Sequence, residues 1–512
     1  MKLLEDIRPD LSAGFSVALV ALPLSIGISL ASGAPASAGL IAAIIGGLIG
    51  SFLGGSHVTV NGPAAGLIVI VLDAVINLGH GDNVAGFKGM LAAAVVAGAM
   101  QIVFALLKLA RKGSAFPISV IHGMMAAIGL IIIAKQIHVL FGYTPTAKNP
   151  LLLYAEIPSA IMNMNPMVTL IGVISVAFII VWSKLSWSFT KKIPAPLLTV
   201  IIGAALAALL GVTGNSLLNV PADVTSWIIF PDFSVMSTYE GWKAAVTLAL
   251  VATLETTLSA AAVDKLDPQR RKSDLDKDLL SKGICNMASA AIGGLPMIAE
   301  IVRSSANVSF GAKTWRANFT HGLVILIAVL LLPAALNFIP LSALAAILIM
   351  VGFRLGNPMH IIRAKKIGWD NLVGFLTTLL VTLGIDLLMG IFLGALAQCL
   401  VEIYLGLKVS NLIKPTFSST NKDSKTVQIK IESALAFSNF LVLKEKIQEC
   451  LNQNKNLELE FTNCDYIDHS SMENIHDLKK QFEDKGLSIT TTFSKKHVPM
   501  GSDSLSGLRM TI

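Results

Sequence analysis

One acidic residue lies in the middle of a long apolar stretch. Glu255 is preceded by residues 248–254, which are apolar except for Thr253, and followed one helical turn later by Ser259. Residues four apart lie on the same face of a helix. An ionisable side chain in mid-membrane costs about 2.5–3.5 kcal/mol on insertion scales, and such residues usually mark substrate or ion pathways. Glu255 and Ser259 are therefore candidates for binding a proton or a small cation.

A second unusual stretch follows shortly after this helix. The run Gly-Gly-Leu-Pro at 293–296 interrupts an apolar segment that also carries Glu300 and Arg303. The segment is too short to cross a bilayer as one helix. A broken helix at membrane depth is tolerated where it is buried in protein or lines a cavity. Together the two stretches indicate a transport site within residues 241–320.

The composition requires a membrane protein with many spans. The chain has 512 residues, 54% of them hydrophobic and 14% charged, with a mean hydropathy of +0.71. The net charge of +7 comes from residues 1–408, which favours membrane topology over nucleic-acid binding as its cause. The four cysteines form no CxxC pair, so neither a disulfide framework nor a zinc site is indicated. We find no nucleophile–base pattern, metal cluster or phosphate loop, and therefore predict no enzymatic activity.

Fourteen hydrophobic segments are predicted in residues 1–408. Most of the Lys and Arg residues lie in every second loop, which predicts an even number of spans with both termini in the cytoplasm. The first segment reads as a retained span, without a cleavable signal. The segments lie near 11–31, 37–55, 62–77, 88–110, 116–134, 166–185, 194–211, 241–263, 280–293, 297–308, 317–336, 341–353, 370–384 and 386–408.

The external loop predicted at 212–240 divides these segments into two sets of seven. The third segment of each set is short and follows a Gly/Pro run, at 54–63 and at 293–296. Residues 58–60 favour a short extended piece before the first of these segments. Matching interrupted segments in two halves are typical of an inverted-repeat transporter with its site near the bilayer midplane. Two helix N-termini meeting there would attract an anion. The alternative is two ordinary kinked helices.

The composition changes after residue 408. We predict a polar linker at 409–425 and a small cytoplasmic α/β module at 426–512, with no strong pattern in the tail from residue 493. The predicted elements are strands at 427–432, 457–461 and 487–491 and helices at 440–451 and 471–482.

These motifs together resemble the SulP family of sulfate-permease-like inorganic anion transporters. The resemblance covers nearly the whole chain, and the C-terminal module is similar to the STAS domain. It rests on six motifs in order and on the turn at 467–471: Pro9-Asp10-Leu11-Ser12-Ala13-Gly14, the run 32–40, the run 54–63, Glu255-Thr256-Thr257-Leu258-Ser259, the run 293–296, and Arg303-Ser304-Ser305-Ala306-Asn307 with Gly311-Ala312-Lys313-Thr314.

The resemblance implies a polytopic α-helical membrane protein of the plasma (inner) membrane, with about fourteen segments arranged as a seven-plus-seven inverted repeat. It implies two half-helices at the midplane, a homodimer in the lipid bilayer and elevator-like transport, in which one domain carries the substrate and the other is a scaffold. Asp468 and Ser470 match the regulatory turn of STAS domains, which binds cytoplasmic protein partners. Ser470 also reads as a plain turn residue.

The chain departs from the family pattern at both interrupted segments. Where relatives often have a hydroxyl after the Gly-Pro of the third span, this chain has alanine, and it adds the carboxylate of Glu300 to the second segment. Arg303 and Asn307 are expected to support the site. The residues expected to bind the anion are Ser25, Gly62, Pro63, Ala64, Ala65, Met297, Ile298 and Ala299.

The charge of Glu255 decides the chemistry of the site. A bare carboxylate repels an anion, so Glu255 must be protonated, paired or bound to a cation. Na⁺ held by Glu255, Ser259 and backbone carbonyls would give symport, and a proton on Glu255 would give the same result. Glu300 is either a second cation ligand or a partner of Arg303.

The sequence therefore predicts Na⁺-coupled uptake of bicarbonate, with no cofactor other than Na⁺ or H⁺. The first alternative is a proton symporter of sulfate, another small oxyanion or a dicarboxylate. A second, of another class, is a membrane-anchored regulator that acts through its STAS module. A third is a nucleobase-type carrier, which would lack that module.

Overall fold

The fold is mostly helical. The structure, a computed structural model, describes residues 2–112, 116–147, 149–185, 193–221, 223–331, 333–423 and 425–510. The helices in these residues are α1 (Lys2–Ala31), α2 (Ala36–Leu48), α3 (Gly50–Leu53), α4 (Ile68–Gly79), α5 (Asn83–Leu106), α6 (Leu109–Lys112), α7 (Ile118–Leu140), α8 (Pro150–Met162), α9 (Pro166–Lys184), α10 (Ala195–Leu209), α11 (Tyr239–Leu266), α12 (Leu275–Ala291), α13 (Ile301–Ser309), α14 (Arg316–Leu331), α15 (Pro333–Leu336), α16 (Leu341–Leu355), α17 (Met359–Ile367), α18 (Trp369–Gly384), α19 (Leu387–Tyr404), α20 (Phe440–Asn452) and α21 (His469–Asp484).

Each of the fourteen predicted hydrophobic segments contains a helix in the described residues. By length and composition, seven of the described helical stretches can cross a membrane, and shorter apolar helices lie between them. The number of crossings and the orientation of the termini remain predictions. The sequence missed α8, a helix of 13 residues. Asn149 caps its start and Pro150 occupies its first turn, but it is too short to give a spanning signal.

Contacts group the chain into two compact units. One comprises Met1–Gly113 with Ile128–Leu355, and the other comprises Ser114–Ala127 with Gly356–Ile512. Composition alone places the domain boundaries at residues 408 and 425, because the polarity of the sequence changes there. In the second unit the last apolar helices share contacts with the C-terminal residues. The buried Tyr466 hydroxyl, for example, donates a hydrogen bond of 2.9 Å to Asp370 at the start of α18.

A close contact between two helices of the first unit depends on glycine residues. Gly47 of α2 lies against Gly322 of α14, and a Cβ at Gly47 would lie 2.7 Å from the Gly322 nitrogen and 3.0 Å from the Asn318 carbonyl oxygen. Small residues at such contacts allow two helix backbones to approach each other in a membrane protein. The large buried cluster around Leu24, Leu40 and Ile325 packs beside this contact.

The C-terminal residues form the predicted α/β module. Its strands are β3 (Phe417–Asn421), β4 (Thr426–Ile431), β5 (Asn456–Glu460), β6 (Tyr466–Ile467), β7 (Ile489–Thr492), β8 (His497–Pro499) and β9 (Leu508–Met510). The main sheet has the order β3-β4-β5-β7, in which β3 and β4 are antiparallel and the other pairs are parallel. The predicted strands and helices at 427–432, 440–451, 457–461, 471–482 and 487–491 are confirmed.

Two predictions for the C-terminal residues are wrong in part. The linker predicted at 409–425 contains β3, an edge strand of which only Phe417 packs against the core. Its remaining side chains are polar and exposed, so the alternating pattern of a half-buried strand is missing. The tail from residue 493 contains β8 and β9, which are three residues each and too short to give a pattern.

The contact between α2 and α14 gives a prediction for stability. Gly47→Ala should lower the thermal unfolding midpoint of the detergent-purified protein by the equivalent of about 1–3 kcal/mol, because the methyl group meets backbone atoms that cannot rotate away. Gly384→Ala is the matched control, since a Cβ at Gly384 meets nothing within 4 Å. Equal midpoints for both variants would contradict the packing described for α2 and α14.

Candidate functional site

The two interrupted segments lie side by side. Their extended pieces, β1 (Asn61–Gly62) and β2 (Ile298–Ala299), form an antiparallel pair in which Asn61 is opposite Ala299 and Gly62 is opposite Ile298. A further hydrogen bond of 3.0 Å runs from the Glu300 N–H to the Val60 carbonyl. Each extended piece leads into a helix, β1 into α4 through a short 3₁₀ turn and β2 into α13. The sequence identified both interruptions, and the structure adds that they pair through their backbones.

Side chains of α13 satisfy the backbone that precedes β1. The Val60 N–H donates to Ser304 Oγ at 2.9 Å, and Asn307 Nδ2 donates to the Val58 carbonyl at 2.9 Å. Both side chains are fully buried. Unsatisfied backbone groups are costly in a membrane interior, so these two contacts stabilise the non-helical backbone at this place. Asn307 thus fixes the backbone that leads into β1.

Arg303 lies fully buried beside the same backbone. Its Nη2 donates to the Pro63 carbonyl at 3.1 Å, whereas Nε and Nη1 have no hydrogen-bond partner among the described residues. Nη1 occupies the position that a Cβ on Gly62 would take, so Gly62 is needed for the guanidinium to fit. A buried guanidinium with two free donor groups is well suited to bind an oxyanion.

Glu300 is the N-cap of α13. Its Oε2 accepts a hydrogen bond of 2.6 Å from the backbone N–H of Arg303, and its carbonyl accepts one of 2.6 Å from Ser304 Oγ. The sequence left open whether Glu300 is a cation ligand or a partner of Arg303. In the structure the Glu300 carboxylate is bonded to the backbone N–H of Arg303 and not to its guanidinium. The carboxylate thus lies at the positive end of the helix, where a negative charge is stabilised.

Glu255 of α11 lies against the start of the other half-helix. Its Oε1 occupies the position that a Cβ on Gly66 would take, so the carboxylate contacts the backbone of the turn Ala65–Leu67 directly. Ala64, the residue before this turn, has no side-chain oxygen to cap it. No residue in the described part of the chain donates a hydrogen bond to the Glu255 carboxylate. Ser259 is buried one turn further along α11.

A cavity lies between the start of the two half-helices and the helices α1 and α16. The two charged residues in its lining are Glu300 and Arg303, and the other lining residues are Leu24, Ile28, Ala65, Val302, Leu348 and Val351. Leu24 and Ile28 of α1 line this cavity, but Ser25 does not. The buried carbonyl of Ser25 instead faces Gly39 of α2.

The other predicted anion-site residues do not line this cavity. They are buried and belong to the paired extended pieces or directly adjoin them: Gly62, Pro63, Ala64, Met297, Ile298 and Ala299. They determine the course of the backbone more than they line the cavity. Of the predicted anion-binding residues, Ala65 is the one that contacts it.

Sequence reasoning missed a second set of polar side chains that hold the extended pieces. Asn286 of α12 accepts the Met297 N–H at 2.6 Å and donates to Gln101 of α5 at 2.7 Å. Asn318 of α14 accepts the Asn61 N–H at 3.2 Å. All are buried. The signal available was their presence, as amide side chains, inside otherwise apolar segments, where such groups usually bond to neighbouring helices.

The regulatory turn predicted in the C-terminal module is buried. Asp468 caps α21 by accepting the Ser471 N–H at 2.8 Å, and it also accepts the Phe437 N–H at 2.9 Å. Burial raises the pKa of Asp468 to about 6, although these two hydrogen bonds oppose the shift. Ser470 Oγ accepts the N–H of Ile118, the first residue of α7, at 3.3 Å. Ser470 is thus in contact with an apolar helix of its own unit.

Comparison with known proteins identifies the type of chain. The model of the sulfate permease family matches residues 7–378. YvdB of Bacillus subtilis (strain 168), named as a candidate sulfate transporter, is 26% identical over 481 residues, which are 91% of this chain and 88% of the relative. The bicarbonate transporter BicA of Picosynechococcus sp. is 26% identical over 413 residues, which are 80% of this chain and 71% of the relative.

Two solved structures share the fold. The transmembrane domain of a cyanobacterial bicarbonate transporter BicA matches with a TM-score of 0.66 and 24% identity, over 77% of this chain and 98% of that chain. The overall structure of SLC26A9 matches with a TM-score of 0.70 and 16% identity, over 95% of this chain and 84% of that chain. The interrupted segments described above therefore belong to a fold that known transport proteins share.

The hydrogen bond of Asn307 gives a second stability prediction. Asn307→Leu keeps the branched shape of the side chain but leaves the Val58 carbonyl without its donor, which should destabilise the protein by about 1–3 kcal/mol. The measurement is the thermal unfolding midpoint in detergent. Asn163→Leu is the control, because the exposed Asn163 donates only to Ser159 of its own helix. A midpoint equal to that of the control would show that water or another donor satisfies Val58.

Proposed function

The chain belongs to the sulfate permease family, and on that premise we propose that it takes up bicarbonate by secondary active symport with Na⁺. The observation that carries this proposal is the position of Glu255. Its carboxylate contacts the uncapped start of one half-helix at Gly66, beside a cavity that also contains a buried, incompletely paired guanidinium. An acid at one half-helix start and a buried guanidinium on the other half-helix are the components that cation-coupled anion transport requires.

The coupling cation binds at Glu255 in this proposal. A carboxylate in an apolar region is stable when it is protonated, paired or bound to a cation. No described residue donates a hydrogen bond to it, and Ser259 offers a hydroxyl one helical turn away. Na⁺ prefers oxygen ligands, and the carboxylate, this hydroxyl and nearby backbone carbonyls are such ligands. A proton on Glu255 would neutralise it equally well and is the alternative coupling ion.

The anion binds at the half-helix starts. Arg303 Nη1 lies against Gly62, just before the first half-helix, its Nε and Nη1 have no acceptor among the described residues, and the start of this half-helix has no side-chain cap. A helix N-terminus contributes roughly half a positive charge. The anion and the cation on Glu255 thus stabilise each other, and binding of either one raises the affinity for the other. This mutual dependence is the thermodynamic basis of symport.

Bicarbonate is our preferred substrate because Ala64 stands where relatives often have a hydroxyl, and Glu300 adds a carboxylate, which disfavours a doubly charged anion. A relative over 80% of the chain carries the name bicarbonate transporter. Proton-coupled uptake of sulfate, another small oxyanion or a dicarboxylate is the second candidate, since YvdB is named as a candidate sulfate transporter.

The remaining features of the proposal concern the whole protein. We propose that residues 1–408 form the transport domain, as a seven-plus-seven inverted repeat, and that residues 426–512 form a cytoplasmic STAS module. The protein would act as a homodimer in the plasma (inner) membrane by an elevator-like movement. The antiparallel pairing of β1 with β2, one from each half, is consistent with inverted repeats that meet at the site.

Neutralising Glu255 tests the coupling. Uptake of labelled bicarbonate and labelled sulfate is measured in proteoliposomes, with and without an inward Na⁺ gradient. We expect Na⁺ to stimulate bicarbonate uptake by the wild-type protein, and Glu255→Gln to reduce that stimulation by about 5- to 150-fold, the usual range for coupling between two ligands.

Glu240→Gln is the matched control, because Glu240 is an exposed acid in the first turn of the same helix. Its uptake should equal that of the wild-type protein. Uptake that is driven by a pH gradient instead of Na⁺, and is lost in Glu255→Gln, would support Glu255 as the coupling site but with H⁺ as the coupling ion. Uptake that ignores both gradients and the substitution would contradict coupling at Glu255.

A further inference from the structure

We propose that Glu300 sets the charge of the anion that the cavity accepts, so that the site selects a monovalent oxyanion over a divalent one of the same shape. The inference rests on the proposed function, because it concerns the same anion site. It begins from the two charged groups of the cavity lining, Glu300 and Arg303. No other charged residue lines this cavity in the described part of the chain.

The positive charge at the cavity has identifiable sources. Arg303 contributes one full charge, and its Nε and Nη1 have no acceptor among the described residues. The starts of the two half-helices contribute roughly half a charge each. Glu255 lies at one of these starts, but with its cation or proton bound it is neutral. Without Glu300 the cavity would therefore have a net charge of about +2, which matches a dianion.

Glu300 removes half of this charge. It is partly exposed, whereas Arg303 is fully buried, so its carboxylate still faces the cavity while Oε2 caps α13. Its negative charge lowers the net value to about +1, which matches a monoanion. A dianion would place a second charge close to the carboxylate in a poorly solvated cavity, where like charges repel strongly.

The cap keeps this negative charge in place. The hydrogen bond from the Arg303 N–H to Glu300 Oε2 is short, at 2.6 Å, and holds the carboxylate at the start of α13, where the helix dipole favours a negative charge. The carboxylate lines the same cavity as Arg303. Glu300 is thus a fixed negative charge close to the proposed positions of the anion and of the coupling cation. A site with a small neutral residue at this position would lack that charge.

The test compares two oxyanions that share a tetrahedral shape and differ in charge. Unlabelled perchlorate and unlabelled sulfate compete with labelled bicarbonate for uptake into proteoliposomes. We expect perchlorate to compete better with the wild-type protein. In Glu300→Gln and Glu300→Ser, which are neutral but retain an oxygen to cap α13, sulfate should gain about 10- to 100-fold relative to perchlorate, as expected when one repulsive charge is removed nearby.

Glu300→Asp is the charge-conserving variant, since Asp is also a good N-cap, and it should keep the wild-type preference. Glu240→Gln serves as the control for loss of an acid at an exposed place. Unchanged preference in both neutral variants would overturn the proposal. A loss of Na⁺ dependence with unchanged anion preference would also overturn it, because Glu300 would then be a cation ligand.

A binding measurement separates this inference from the proposed function. Sulfate and perchlorate are added to the detergent-purified proteins in Na⁺, and the shift of the thermal unfolding midpoint reports binding without transport. Absence of bicarbonate uptake by the wild-type protein would contradict the proposed function. The ratio of the two midpoint shifts would still decide the role of Glu300, rising toward sulfate in the neutral variants if the inference holds and staying constant if it does not.

Discussion

The site depends on one constraint, which is that backbone polar groups cannot remain unpaired in a membrane interior. The two interrupted segments leave helical geometry and so lose their internal hydrogen bonds. They recover these bonds from each other, through the pairing of Gly62 with Ile298, and from buried side chains of neighbouring helices. These side-chain hydrogen bonds come from Ser304 and Asn307 of α13 and from Asn286 of α12. The shape of the cavity follows from this set of bonds.

Much of this arrangement was predictable, because the strongest sequence signals come from physical costs. The cost of placing Glu255 in an apolar stretch identified the acid, and the Gly/Pro runs identified both broken segments. Long periodic segments gave the helices, and alternating residues such as those of β4 and β5 gave the strands of the C-terminal module. The strand β3 was not predicted because its side chains are mostly exposed, and α8 was not predicted because it is short.

The contacts within the site were not predictable, because they join residues far apart in the sequence. No local sequence pattern indicates that the Glu255 carboxylate contacts Gly66, or that the guanidinium of Arg303 contacts Gly62. The sequence left open whether Glu300 pairs with Arg303. The structure gives a helix cap through the Arg303 backbone, which leaves the guanidinium donors free. Spacing along a helix shows which side chains share a face, but not which atoms they meet.

The site has opposing charges that nearly cancel before any ligand binds. Two carboxylates, Glu255 and Glu300, face one guanidinium and two partial helix charges, so the net charge is close to zero. An anion entering alone would meet the repulsion of Glu255, and a cation entering alone would meet Arg303. In the proposed mechanism each ion lowers the cost of binding the other, so the doubly occupied site is favoured over either singly occupied one. Coupled uptake would then follow from the charge balance, without a separate gate for each ion.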